Sequence, residues 1–154
     1  METTITEADM QDTIEREVEI AAPVDRVWAL VTEAEHLGTW FADAGAEIDL
    51  KPGGELSLTW AENGTSRGRV ERVEPPTTFA FRWASVGEFS EENSTLVEFT
   101  LSEHDRGTRV HVLESGFASL PKSAEDQVAH HAGNTEGWKI ELGHLAEYAE
   151  RSAA

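Results

Sequence analysis

The chain contains no cysteine. Disulfides, thiolate nucleophiles and cysteine-based metal sites are therefore excluded, and a reducing compartment, the cytoplasm, is the expected location. Long hydrophobic runs are missing too. The unbroken apolar stretches are a few residues long, far short of the roughly 20 that a membrane-spanning helix needs, so no membrane span is expected. Residues Met1 to Asp12 are polar and acidic and lack the basic start and apolar segment of a secretory signal. They read as a flexible acidic N-terminal tail over residues 1–12. Basic residues are scarce: 12 Lys and Arg stand against 30 Asp and Glu, for a formal net charge of -18. A field of that sign repels nucleic acid and anionic membrane and favours a protein partner with a basic surface. With 154 residues the chain is about one domain long and can bury a core without covalent staples. That single domain is placed over residues 13–150.

Against these absences stand five tryptophans, Trp28, Trp40, Trp60, Trp83 and Trp138. Each brings a large apolar area and one N–H that needs a partner when buried. The pattern around them begins with a strand. In Thr13 to Ile20, Ile14, Val18 and Ile20 alternate with Glu15, Glu17 and Glu19, the signature of a half-buried strand, with Arg16 on its apolar side. Pro23 suits the first turn of a helix, and Val24, Val27, Trp28 and Val31 follow at helical spacing. Thr32 to Leu37 reads as a second short helix, with Thr32 as N-cap and Glu35 three residues on, closed by Gly38. Trp40 and Phe41 then fall in a connection.

From Ala46 to Glu114 the period changes to two. Leu56, Leu58 and Trp60 share one face, as do Phe79, Phe81 and Trp83, then Val97, Phe99 and Leu101, then Val110 and Val112. Pro52-Gly53-Gly54, Asn63-Gly64, Pro75-Pro76 and Asp105-Arg106-Gly107 separate them as turns. Ser85 to Asn93 reads as a polar loop. Consecutive strands joined by short turns form an antiparallel meander. After Phe117 the spacing is helical again. Ser123 and Asp126 form a capping signal, and Val128, His131, Thr135, Trp138, Leu142, Leu145 and Ala149 recur at three and four, one helical face. Gly133, Gly137 and Gly143 lie within it, and Asn134 reads as a restart after a break. The order is strand, two short helices, strands, long helix, which is an α+β layout with a helix against one sheet of six or seven antiparallel strands.

Four segments, in order and at consistent spacing, carry a resemblance. They are Ile20 to Trp28 with Trp40-Phe41 following, Pro52-Gly53-Gly54, Gly68-Arg69-Val70 through Glu74-Pro75-Pro76 to Phe81-Arg82-Trp83, and Gly107-Thr108-Arg109 to Phe117 with Gly137-Trp138, Leu142 and Leu145. Across Glu15 to Tyr148 the chain resembles the homologues of the activator of the heat-shock protein 90 ATPase, within the START-like helix-grip superfamily. The family shows two tryptophans where this chain has Trp40-Phe41. The resemblance implies a curved sheet wrapped around the last helix with a cavity between them. It also implies a stress-related co-chaperone or interaction role, although the eukaryotic co-chaperones carry an extra N-terminal domain for which 154 residues leave no room.

An apolar space with a few polar groups is the usual form of a small-molecule site. The expected lining is Trp40, Phe41, Trp60, Phe81, Trp83, Phe99, Phe117, Trp138 and Leu142, and the expected task is non-catalytic binding of a small hydrophobic or amphipathic molecule. The alternatives are the co-chaperone role and a cyclase-, dehydratase- or hydrolase-like enzyme acting on an apolar substrate. Arg16, Arg82, His111, Glu114 and His131 are the polar groups that could reach inward, with Arg16 or Arg82 as a partner for Glu114, since a buried charge needs one. Strand alternation points Arg82 and His111 outward. No catalytic residue is assigned: there is no Gly-x-Ser-x-Gly elbow. Gly53-Gly54 lacks the lysine of a phosphate loop, and no cofactor is expected. His130 and His131 point about 100° apart on a helix, so no metal site is expected either.

Overall fold

A computed structural model describes residues 12–62, 64–84 and 88–152. The N-terminal tail up to residue 11, Asn63 of the expected hairpin and residues 85–87 of the polar loop lie outside the described residues. The elements are β1 (Thr13–Ile20), α1 (Val24–Thr32), α2 (Ala34–His36), a π-helical turn (Leu37–Phe41), β2 (Ala46–Ile48), β3 (Glu55–Trp60), β4 (Gly64–Glu74), β5 (Thr78–Ala84), β6 (Thr95–His104), β7 (Gly107–Ser115), a 3-10 turn (Phe117–Ser119) and α3 (Ala124–Ser152). The strands form one curved antiparallel sheet in the order β1-β7-β6-β5-β4-β3-β2. The meander is closed by the first strand, which returns to pair with the last from Thr13↔Ser115 to Ile20↔Thr108. The Asp105-Arg106 turn takes φ of 51° and 81°, the left-handed pair that a two-residue hairpin requires.

The period-two pattern decides which face is dry. Phe79, Phe81 and Trp83 of β5, Val97, Phe99 and Leu101 of β6, and Val110, Val112 and Glu114 of β7 are all buried. Over this face lies α3. Its N-terminus is capped as the sequence indicates, with Asp126 N–H donating to Ser123 Oγ at 3.1 Å. Trp138, Leu142, Leu145 and Ala149 are buried on its inner face. Each fully buried large apolar side chain contributes about 1.5–3 kcal/mol, which holds a helix carrying three glycines against the sheet. At its far end the Tyr148 hydroxyl and His36 Nδ1 are hydrogen-bonded at 2.7 Å. No described helix is long and apolar enough to cross a membrane.

Three local expectations are corrected. Thr32 is the last residue of α1 and not an N-cap: its hydroxyl donates back to Trp28 O at 2.8 Å, and extended Glu33 separates the two helices. Gly38 does not end the second helix. The chain runs on through a π-helical turn that contains Trp40 and Phe41, so these rings sit in a regular element. A Cβ on Gly38 would lie 2.9 Å from Ala46 N, so the glycine serves close approach to β2. Finally, α3 runs unbroken through Asn134, tied down before it by Gln127 and His131, which bond the carbonyls of Ala118, Leu120 and Thr13, and after it by the buried apolar stripe. Val128 stands outside the stripe and is exposed.

Candidate functional site: a buried carboxylate among aromatic rings

Three neighbouring strands and α3 converge on Glu114, which is 0% exposed. From β5, Trp83 Nε1–H donates to Oε2 at 2.9 Å. From β6, the Thr95 hydroxyl donates to the same oxygen at 2.5 Å. From α3, Trp138 Nε1–H donates to Oε1 at 2.8 Å, and the Asn134 amide reaches both oxygens at 3.1 and 3.2 Å. The register explains the convergence. Trp83 lies opposite Thr95, Val97 lies opposite Glu114, and Asn134 and Trp138 are one helical turn apart. The expected pairing of Glu114 with Arg16 or Arg82 is not what forms. Arg82 lies on the other face of β5, where its Nη1 donates to Ser94 Oγ at 3.5 Å. Four neutral donors satisfy the carboxylate instead. His111 also points outward, to Glu15 at 3.0 Å, and His131 Nε2 is bonded to Thr13 O at 2.8 Å.

Around Glu114 most of the expected lining is gathered into one ring cluster. Phe41 stacks on Trp138 at 5.4 Å and on Trp83 at 5.7 Å. It also meets Trp40 at 5.1 Å and Trp60 at 5.3 Å. Phe81 meets Trp83 edge-on at 5.5 Å, and Phe99 meets Trp138 at 5.8 Å. These are the separations of rings in direct contact. Leu142 is buried on α3, one turn beyond Trp138. Phe117 is set apart, its edge against His130 and His131, each at 5.1 Å. The other two indoles of the expected lining are fixed through backbone carbonyls: Trp40 donates to Leu30 O at 2.7 Å and Trp60 to Phe41 O at 2.9 Å. Sequence reasoning missed Thr95, Asn134 and Phe79. Phe79 joins the cluster through Phe81 at 5.6 Å. The signals were present: Thr95 shares the parity of Val97 and Phe99, and Asn134 precedes Trp138 by four.

Two α3 side chains, His130 and Glu141, have displaced titrations. His130, half-buried on Phe117 with Lys122 Nζ 3.1 Å from its Nδ1, is lowered to about 4, by burial first, then by the charges of Lys122 and His131. The Glu141 carboxyl is raised by burial, with Asp43 adding to the effect and hydrogen bonds to His144 and Trp60 opposing it. Among the described residues no three His, Asp or Glu side chains are gathered as a metal ion requires.

The sequence profile of the family described as "Activator of Hsp90 ATPase homolog 1-like protein" matches residues 21–150, from the end of β1 almost to the end of α3. The chain belongs to this family. No curated protein matches it by sequence. Among solved structures, a Mesorhizobium loti protein superposes with a TM-score of 0.76 at 23% identity, covering 90% of this chain and 97% of that one. DynU16, from the dynemicin biosynthetic locus, superposes with a TM-score of 0.72 at 27% identity over 91% of this chain. The match spans only 48% of DynU16, so the present chain corresponds to about half of that protein. An HSP90 activator from Plasmodium falciparum superposes with a TM-score of 0.68 at 21% identity, covering 88% and 94% of the two chains. The first and third likenesses establish the fold, the same sheet and terminal helix as in this family.

Proposed function

We propose that this member of the family is a non-catalytic binding protein. It receives a small hydrophobic or amphipathic molecule between the sheet and α3, with Trp40, Phe41, Trp60, Phe81, Trp83, Phe99, Phe117, Trp138 and Leu142 as its apolar wall. The observation that carries this reading is the environment of Glu114: a wholly buried carboxylate, bonded by two indoles, an amide and a hydroxyl. Replacing a buried charge by well-packed apolar side chains is often neutral or stabilising, so stability alone gives little reason to place one here. A few convergent polar groups in an aromatic surround are instead what orients a ligand. Asn134 and Trp138 sit on α3, while Trp83 and Thr95 sit on the sheet. When α3 lifts, a ligand N–H or O–H takes over the places of the first two while the sheet donors stay. Acid–base catalysis of the cyclase or dehydratase kind would call for a second ionisable group at the same spot. Among the described fully buried residues, Glu114 is the one ionisable side chain.

Native mass spectrometry of protein purified from its own host tests the proposal, together with titration of fatty-acid and polycyclic probes against the Trp83 and Trp138 indole N–H resonances. A retained adduct, or saturable shifts of both indoles, is expected. A bare-chain mass with unmoved indoles would end it.

A second reading rests on family membership and on the excess of 30 acidic over 12 basic residues: a co-chaperone-like module docking on a basic protein surface. Its mark is a partner captured from lysate at low salt and released at high salt.

A further inference from the structure

At the outer edge of the ring cluster, the C-terminal half of α3 faces the end of β3 and the segment after the π-helical turn across a recess of about 250 Å³. Its wall is aromatic, with Trp60 and Tyr148 among its rings, and its polar groups are Thr39, Asp43, Glu141, His144, Glu147 and Arg151. Its α3 groups Glu141, His144, Tyr148 and Arg151 lie at spacings of three and four, which share one helical face. We propose that this recess is a binding site for a small organic cation, an ammonium or guanidinium headgroup held by the Trp60 and Tyr148 rings and by the carboxylates of Asp43 and Glu141.

Three observations lead to this ligand class. The volume lies below the roughly 300–1,000 Å³ of drug-sized sites, so it suits one headgroup. The walls combine π-faces with anions, the pairing that recognises quaternary ammonium and guanidinium groups. The carboxylates are positioned rather than loose. Asp43 Oδ1 accepts the Ala61 N–H at 2.8 Å, and Glu141, only 19% exposed in its side chain, is bonded to His144 Nδ1 at 3.1 Å. Burial disfavours the Glu141 charge and Asp43 adds weakly to that, while His144 and Trp60 partly offset it; an arriving cation supplies further compensation. A bare metal ion is the wrong occupant, since no cluster of three metal-binding side chains exists among the described residues. Arg151, at the exposed end of α3, is the permanent cation of the lining and competes with the ligand for the same field, as does His144 on Glu141 when protonated. Glu114 takes no part, so this site stands or falls separately from the interior one.

The test is a titration of uniformly 15N-labelled protein, following the Trp60 indole N–H, which is assigned by its loss in Trp60→Leu. The probes are choline chloride, agmatine hydrochloride, the uncharged choline isostere 3,3-dimethyl-1-butanol, and sodium chloride at matched ionic strength. A saturable Trp60 shift with choline or agmatine, absent with the isostere and with salt, is expected. Whichever cation binds more tightly identifies the headgroup. Glu141→Gln and Asp43→Asn each weaken binding by about two- to fivefold, the range of single partly exposed charge contacts. Arg151→Gln, at an exposed helix end where folding is not at stake, tightens it by a similar factor of about two. Equal shifts from the uncharged isostere or from sodium chloride, or an affinity unchanged in both Glu141→Gln and Arg151→Gln, would overturn the proposal.

Discussion

Glu114 and Glu19 lie on adjacent strands, one on each face of the sheet, and they make hydrogen bonds of similar length. Glu114 accepts indole N–H groups at 2.8 and 2.9 Å. Glu19 meets Arg109 Nη2 at 3.2 Å and His104 Nε2 at 3.1 Å. By partner charge the outer residue is the better served, since one of its partners is a full cation and every donor to Glu114 is neutral. The energetic order is the reverse, because the surroundings differ. The Glu19 side chain is 60% exposed, so water replaces any partner that is lost. Glu114 is sealed by rings, and a donor left without it has nowhere else to turn. Between two like charges, one side of the sheet holds an architectural and candidate binding element and the other a solvated surface.

The largest effect is expected at the interior member. Glu114→Gln keeps the shape but leaves one acceptor oxygen for four donors and turns an NH2 toward N–H groups. Each donor orphaned in a dry site costs about 1–3 kcal/mol, and breaking a buried charged arrangement typically costs about 3–5 kcal/mol. Urea denaturation at neutral pH should show a loss in that range. A loss under about 1 kcal/mol would mean that water reaches Glu114, and the contrast between the two faces would collapse.

Trp138→Phe comes next. It keeps a ring against Phe41 and Phe99 but removes the N–H bonded to Glu114 Oε1 and part of the buried ring volume, so a cavity cost adds to the roughly 1–3 kcal/mol of the lost donor. The double variant with Glu114→Gln should lose less than the sum of the two, with a coupling of about 0.5–3 kcal/mol for residues in one network. Strict additivity would show that the indole and the carboxylate are neighbours without being partners.

His130 sits between the extremes, half-buried and beside Lys122. Its folded pKa of about 4 lies below the ordinary value near 6.5. Between those two values the unfolded chain binds a proton that the folded chain refuses, so stability rises with pH across the window and falls as pH drops from about 6.5 toward 4. NMR titration should place the His130 midpoint near the lower figure. His130→Gln should flatten that segment of the stability–pH curve, and Lys122→Gln should move the midpoint upward. A midpoint near 6.5 would return His130 to the solvated class of Glu19.

The same contrast explains what the sequence made legible. Alternation and helical spacing are averages over many residues, so a sheet of six or seven strands, the capped terminal helix and the inward parity of Phe81, Trp83, Phe99 and Trp138 could be read directly. Even Glu114 could be placed inward by its parity with Val110 and Val112. Its partners could not be named, because a buried charge leads one to look for an opposite charge, and Arg16 and Arg82 were the nearest candidates in sequence terms. The solution adopted uses two tryptophans already committed to the core, one threonine and one asparagine, from two successive strands and the distant terminal helix. The π-helical turn was hidden for a different reason. Gly38 is a stop signal in local terms, and only the approach of β2 to within 2.9 Å of a would-be Cβ shows that it serves packing.

The smallest effect belongs to Glu19→Gln. The variant removes the carboxylate facing Arg109 and His104, and exposed pairs of this kind are worth about 0.2–1 kcal/mol. A second term has the opposite sign. In a chain with formal charge -18, deleting one negative charge relieves self-repulsion of the folded state. The two contributions should nearly cancel at low salt. Added salt should weaken both, since the Debye length falls to about 3 Å at 1 M. The expected result is a urea midpoint close to that of the parent at every ionic strength, beside the collapse expected for Glu114→Gln under identical conditions. A Glu19→Gln loss above about 2 kcal/mol that persists in 1 M salt would require the outer ladder of β1 and β7 to be shielded from water, and such shielding would point to a partner or a second copy covering that face.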